Sequence, residues 1–326
     1  MRTVDWVDGA VEIIDQTVLP TTERRLRLST VDEVVAAIVR LAVRGAPAIG
    51  VAGALGVALA ARHHGDDPDA LAEAVRRLET ARPTAVNLAR GVRLAAARLP
   101  DGPDAVLAAA LALRDEEMAA SEAMARRGAD LVTELCGPAP RVLTHCNTGG
   151  LASVTGGTAL AVVTELHRRG ALGGVVASET RPLLQGARLT AWELRRHGIP
   201  YRIAVDGAGP YLMARGEVDA VILGADRVCA NGDVVNKVGT YAHALGARAA
   251  GIPFLVVAPE STVDPDTPSG SHVEIEDRGP AEVLGFADVR VAPEEAAAVN
   301  PAFDVTPYDL VTAIVTDRRV IRPPHM

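Results

Sequence analysis

Aromatic residues make up only 3% of this 326-residue chain, three Phe, four Tyr and two Trp among them. A core poor in rings has to rest on small and aliphatic side chains, which fits an apolar content of 48%. Charge of one sign is not concentrated anywhere. The formal net charge is -8, and no basic block interrupts the acidic balance. Nucleic-acid binding driven by phosphate neutralisation is therefore not expected. A phosphorylated small molecule needs only a local site and stays open. Cysteine is scarce: Cys136, Cys146 and Cys229 are an odd number without paired spacing. The opening MRTVDWVDGA has no apolar h-region. Free thiols in a reducing cytoplasm are the expectation. Metal-ligand spacing is missing among the histidines and cysteines, so no metal is expected. There is no Walker lysine motif and no GxGxxG after the first strand, so no nucleotide cofactor is expected either. One uncharged run, Gly45 to Ala61, approaches membrane-spanning length. It contains Pro47 and four glycines and is bracketed by Arg44 and Arg62. It reads as a buried helix, not a membrane span.

What is present is a change of rhythm. Early on, Val4 to Trp6 and Val11 to Ile14 form a hairpin pattern around Asp8-Gly9. Thr30 to Val43 then repeats apolar residues at helical spacing, with Thr30 as N-cap and Glu33 at the capping-box position. Ala46 to Ala61, Pro68 to Thr80, Ala85 to Leu99 and Pro103 to Leu135 also read as helices. Gly137-Pro138-Ala139-Pro140 breaks the pattern and is the expected boundary between domains 1–137 and 138–326. After it, short apolar runs (Val142 to Thr144, Gly174 to Ser178, Arg202 to Val205, Ala220 to Leu223, Phe254 to Ala258) alternate with helical stretches. Strand–helix–strand repetition predicts right-handed parallel crossovers. The fold class is α/β: a Rossmann-like, doubly wound C-terminal sheet with a smaller, mainly helical N-terminal domain.

In such sheets ligands sit beyond the carboxyl ends of the strands, and chemistry-bearing residues gather there. Cys146 follows Val142 to Thr144 and opens a glycine-rich turn. Position alone leaves it either a reactive thiol or a small buried filler. Asp226, in Gly224-Ala225-Asp226-Arg227, follows Ala220 to Leu223. It reads as a general acid or base facing Cys146, or as a turn aspartate paired with Arg227. Asn236-Lys237-Val238-Gly239 is placed at the opening of a helix, where an amide, a lysine and a helix N-terminus together suit a phosphate. Arg181 is open to phosphate or to pairing with Glu179, and Gln185 lies a few residues beyond. In the first part, Arg44 and Arg82 stand at helix starts. Either can reach an anion, and either reads equally as a loop arginine.

RGAPAIG, RPTAVNL, THCNTGGLA, ETRPLLQGARLTAWEL, GADRVCANGDVVNKVGTYAHALGA and NPAFDVTPYDLVTAI together resemble the methylthioribose-1-phosphate isomerases of methionine salvage. The likeness runs from Asp5-Trp6 to about Thr316. It implies an aldose–ketose isomerase of the cytoplasm that converts 5-methylthioribose 1-phosphate into 5-methylthioribulose 1-phosphate without metal or nucleotide. It implies catalytic roles for Cys146 and Asp226. It also implies contacts to the phosphorylated pentose from Arg44, Gly45, Ala46, Arg82, Gln185, Asn236 and Lys237, and a homodimer. A second argument for the dimer is that Gly45 to Ala61 is more apolar than a small domain easily buries. The wider superfamily keeps two alternatives open. One is an isomerase of another ribose 1-phosphate derivative, such as 5-deoxyribose 1-phosphate or ribose 1,5-bisphosphate. The other is a non-catalytic regulatory subunit that binds a sugar phosphate or nucleotide.

Overall fold

In a computed structural model that describes residues 2–83, 85–286 and 289–322, the chain forms two compact units. The first comprises Met1–Glu122 and Thr148–Gly157, the second Ala123–Asn147 and Thr158–Met326. The units divide inside a helix, and the Gly137-Pro140 break lies within the second unit.

The first unit opens with an antiparallel sheet of β1 (Val4–Val7), β2 (Ala10–Ile14) and β3 (Arg25–Leu28), in that order. Helices α1 (Val31–Val39), α2 (Ala46–His64), α3 (Pro68–Thr80) and α4 (Val86–Ala96) follow, then the long α5 (Pro103–Cys136). The capping box forms as expected: Glu33 N donates to Thr30 Oγ1 and Thr30 N to Glu33 Oε2. The helix stops four residues short of Val43, because Leu41 takes a φ of +63°. Leu41 N then bonds Ile38 O and Ala42 N bonds Ala37 O, the closing pattern that usually has glycine at the left-handed position. Ala42 and Val43 are buried, so apolar periodicity continues past the end of the helix and disguises it.

α2 is the uncharged run, and 78% of its most apolar window is buried. Within its own unit it packs on α1, α3, α4 and the first two strands. A Cβ on Gly91 of α4 would sit 2.2 Å from Gly50 O, so the two backbones approach as only glycine allows. Leu55 and Leu59 are fully buried, each contributing about 1.5–3 kcal/mol of apolar transfer. The first unit covers this helix itself, so α2, contrary to the sequence-based expectation, leaves no apolar face that calls for a second copy.

The second unit is built on a seven-stranded sheet. Its strands are β4 (Arg141–Thr144), β5 (Gly174–Ser178), β6 (Tyr201–Ala204), β7 (Ala220–Leu223), β10 (Phe254–Val257), β15 (Ala313–Val315) and β16 (Val320–Ile321). They lie in the order β16-β15-β10-β7-β4-β5-β6. All neighbours are parallel except β15 and β16. Helices α6 (Ala159–Arg168), α7 (Ala191–Arg196), α8 (Ala208–Ala214) and α9 (Thr240–Ala250) connect them. The chain runs outward from β4 through β5 to β6, then returns to β7 on the other side of β4. Strand order therefore reverses between β4 and β7. A second sheet of four strands takes the order β11 (Val263–Asp264), β8 (Arg227–Cys229), β9 (Val234–Lys237), β14 (Phe303–Thr306). A small hairpin joins β12 (Gly285–Phe286) to β13 (Val289–Arg290), next to α10 (Ala281–Leu284).

Candidate active site

β4 and β7 are hydrogen-bonded neighbours in the register Val142↔Ala220 and Leu143↔Val221. Cys146 lies two residues past the end of β4 and Asp226 three past the end of β7. The pair thus flanks the point where strand order reverses, at the carboxyl edge, which is where doubly wound sheets hold ligands.

Cys146 is buried, with a φ of +60°, in a region that costs a non-glycine residue about 1–2 kcal/mol. Both sides of its backbone are held. Its N–H donates to Thr180 Oγ1 at 2.8 Å, and its carbonyl accepts from Thr190 Oγ1 at 2.6 Å. Asn147 donates to Glu193 Oε1 at 2.7 Å and to Thr190 Oγ1 at 3.3 Å. Thr180 and Thr190 both come from the segment after β5. Its apolar spacing in the sequence predicts one helix from Leu184 to His197. It is instead a π turn, Gly186–Thr190, leading into α7. A Cβ on Gly186 would fall 1.7 Å from Ser178 O, so glycine seats the turn against the strand end. π turns concentrate at functional sites. Gln185 precedes this one, 4% exposed, and its buried Oε1 has no hydrogen-bond partner among the described residues. A buried orphan acceptor is costly, and such a group invites a donor from a ligand.

A polar layer lies behind Cys146. Asp206, after β6, accepts from Ser178 Oγ, from Thr180 N at 2.8 Å and from Arg181 N at 2.6 Å. Burial raises its carboxyl, but these donors prevail and hold it below the ordinary carboxylate range. Ser178 Oγ spends its one proton on Asp206, so the 3.3 Å contact with His243 Nε2 makes that nitrogen the donor. His145 Nε2 donates to Val238 O at 2.9 Å. Burial drives His145 below its usual range and His243 down to about 3. Both are neutral at physiological pH, with ring centroids 5.0 Å apart.

Asp226 is exposed, and its N–H donates to Val235 O on β9 at 3.0 Å. Arg227 is engaged by Asp264 at 2.7 Å and Thr267 at 2.9 Å. Arg181 does not pair with Glu179: it donates to the carbonyls of Pro182, Glu282 and Val283.

Asn236 and Lys237 end β9 and do not open a helix, because they pair with Asp304 and Phe303 of β14. Asn236 Nδ2 donates to Thr240 Oγ1 at 2.9 Å. Lys237 Nζ donates to Ala302 O at 2.6 Å and lies over the Phe303 ring. The N-terminus of α9, offered by the sequence to a phosphate, is already occupied: Asp304 accepts from Gly239 N at 2.7 Å and Tyr241 N at 3.2 Å. Burial pushes the Asp304 carboxyl up to about 6, against those two amides and the Lys237 ammonium, which pull it down.

In the first unit, Gly45 is the N-cap of α2 at φ +92°. A Cβ there would lie 2.3 Å from Ala152 O, so Arg44-Gly45-Ala46 is packed on the loop 148–157. Thr3 and Gln16 hold the same loop through the carbonyls of Gly150 and Leu151. Arg82 is half-buried just before α4.

Ser178, Thr180, Thr190, Glu193, Asp206 and His243 were not singled out from sequence. Asp206 had a usable signal, a carboxylate just past a strand, the same one that marks Asp226. Among the described residues no three His, Cys, Asp or Glu side chains are grouped to hold a metal ion.

Known proteins agree with this architecture. The chain is 54% identical to a methylthioribose-1-phosphate isomerase of Anaeromyxobacter sp. (strain K), over 97% of the chain and 91% of that protein. It is 53% identical, over 98% of its length, to a probable bifunctional methylthioribose-1-phosphate isomerase/methylthioribulose-1-phosphate dehydratase of Nocardia farcinica, spanning 60% of that longer protein. A 5-deoxyribose 1-phosphate isomerase of Moorella thermoacetica is 50% identical, over 99% of the chain and 94% of that protein. The structure of 5-methylthioribose 1-phosphate isomerase from Pyrococcus horikoshii matches with a TM-score of 0.92 at 41% identity, covering 99% of this chain and 93% of that one. The translation initiation factor eIF-2B subunit delta from A. fulgidus matches at 0.87 and 40%, covering 99% and 96%. With the model of the Initiation factor 2 subunit family matching residues 42–323, the chain belongs to that family.

Proposed function

We propose that the protein is an aldose–ketose isomerase of methionine salvage, acting in the cytoplasm on 5-methylthioribose 1-phosphate with Cys146 and Asp226 as its proton-transfer pair and no metal. The observation that carries this is the placement of a clamped thiol and a carboxylate on the two strands that flank the sheet's reversal point. A purely binding subunit has no use for both. Arg44, Gly45, Ala46, Arg82, Gln185, Asn236 and Lys237 are assigned to substrate binding.

Phosphate on the anomeric oxygen locks this sugar as a ring, so the C1–O4 bond must break while phosphate stays on C1. O4 leaves with the bonding pair and takes a proton. In one route a base removes the C2 proton as O4 leaves, giving an enol that is reprotonated on C1. In the other a base takes the proton of the C2 hydroxyl, the carbonyl forms, and hydride passes from C2 to C1. Each route needs one group to accept a proton and one to donate. Substrate lying over Asp226 would cover its exposed side chain and take the reacting proton out of bulk water.

Turnover of the purified protein with 5-methylthioribose 1-phosphate tests the assignment, alongside Cys146→Ser and Asp226→Asn. Both variants should fold and lose nearly all activity; wild-type kcat in either removes that residue from the pair. Substrate deuterated at C2 and turned over in ordinary water separates the routes, since hydride transfer carries the whole label to C1 while the enol route exposes it to exchange with solvent. The Moorella relative named 5-deoxyribose 1-phosphate isomerase supports that compound as a second substrate, to be ranked by kcat/KM.

A further inference from the structure

We propose that Thr180, braced by Asp206, is a positioning residue that sets the backbone of Cys146. Cys146 sits at φ +60° and Thr180 at φ +67°, two non-glycine residues in left-handed backbone joined by one hydrogen bond. Such conformations persist only where neighbours over-determine them. Here the constraints run in series. Asp206 Oδ1 and Oδ2 receive Thr180 N and Arg181 N, which fixes the turn after β5. Thr180 Oγ1 donates its proton to Ser178 O at 3.0 Å, which leaves its lone pairs facing the Cys146 N–H. Thr190 closes the other side through the Cys146 carbonyl. Thr180 is 0% exposed, so no solvent can replace its hydroxyl. With the backbone held at both peptide groups, the direction of the Cα–Cβ bond is set, and with it the origin of the thiol. Sites held by such a supporting layer lose rate when the layer is removed, though it touches no reacting atom. Neither Thr180 nor Asp206 faces the substrate in this scheme. Their loss is therefore expected in kcat and not in KM.

This rests on the catalytic role proposed for Cys146, so the experiment carries a readout that does not depend on turnover. Thr180→Val keeps the shape and removes the hydroxyl; Thr180→Ser keeps the hydroxyl. In the full-length protein with 5-methylthioribose 1-phosphate, Thr180→Val should lower kcat about 10- to 100-fold with KM changed less than about threefold. Thr180→Ser should recover to within about threefold. In parallel, alkylation of Cys146 by iodoacetamide, followed by mass spectrometry across pH 6 to 10, should show a displaced pH–rate profile in Thr180→Val and a wild-type profile in Thr180→Ser. Asp206→Asn, which turns one acceptor oxygen into a donor, should show the same pattern more weakly, and decides the matter if Thr180→Val does not fold. Wild-type kcat and alkylation in these variants overturn the proposal. So does a Thr180→Ser variant as impaired as Thr180→Val. If the wild-type protein isomerises no sugar 1-phosphate, the catalytic reading falls, and the alkylation profiles still decide whether Thr180 sets Cys146.

Discussion

Replacing Gln185 by Met should move stability and binding in opposite directions. Gln185 is 4% exposed, and its Oε1 has no hydrogen-bond partner among the described residues. An unsatisfied buried acceptor costs about 1–3 kcal/mol, and Met fills nearly the same space without one. The ligand-free variant should therefore be stabilised by a similar amount, less whatever packing mismatch the thioether introduces. For a unit of this size, about 1 kcal/mol corresponds to about 2–4 °C in Tm, so a rise of about 2–6 °C is expected in a thermal melt without substrate. The same change removes the acceptor of a residue proposed to bind substrate. KM for 5-methylthioribose 1-phosphate should rise about 10-fold or more, since a charge-free hydrogen bond in a dry site contributes on the order of 1.5 kcal/mol. Saturating substrate should then raise Tm less in the variant than in the wild type. A variant that melts lower than wild type and keeps its KM would refute the reasoning, because the orphan oxygen would be neither a cost nor a binding group.

Arg44→Ala and Lys237→Ala should mainly raise KM, because both are assigned to a phosphate that stays on C1 throughout and uniform binding leaves kcat alone; steady-state kinetics showing a collapsed kcat at unchanged KM would place them in the transition state instead. Asp304 should make the protein lose stability as pH rises: its folded pKa of about 6 lies above the unfolded value of 3.8, so the folded state holds the extra proton between them. The loss is up to about 3 kcal/mol, spread between about pH 4 and 6 and complete above that. Urea melts of wild type minus Asp304→Asn at pH 4.5 and 7.5 read this difference directly, and equal differences at both pH values would contradict it. Activity should be unaffected by EDTA, and loss on chelation with recovery on adding a divalent ion would end the metal-free mechanism.

Much of this fold is legible in the sequence because its signals are local. The alternation of apolar runs with helical stretches after Pro140 predicts the parallel strands β4, β5, β6, β7 and β10, and all five appear within a residue or two. Polar residues just past those strands then mark Cys146 and Asp226 without any knowledge of strand order. What the sequence does not show is either hidden behind an unbroken apolar pattern or depends on partners far along the chain. Leu41 ends α1 in a left-handed turn usually made by glycine, and the buried Ala42 beyond it keeps the helical pattern intact. Asn236 and Lys237 lie in a strand because β14 pairs with them through Asp304 and Phe303, far along the chain; nothing in NKVG announces that partner.

The unread part of the candidate site has the same character. Cys146 is easy to find and its conformation is not, since the groups that fix it are hydroxyls 34 and 44 residues away. Threonine is common, and no local rule separates one that clamps a backbone from one that caps a turn. The α9 N-terminus shows the converse error. A lysine and an amide beside a helix start satisfied every local criterion for a phosphate site, yet Asp304 reaches back from β14 and takes the free amides. If Asn236 and Lys237 hold the substrate phosphate as proposed, their side chains must do it, with Asp304 repelling the anion when ionised. The carboxyl that burial pushes to about 6 then favours anion binding at the pH values where it is protonated. KM in the wild type should accordingly fall between pH 7.5 and pH 6, and Asp304→Asn should flatten that slope; a KM that rises on acidification in both proteins would show that the carboxylate does not bear on the bound phosphate.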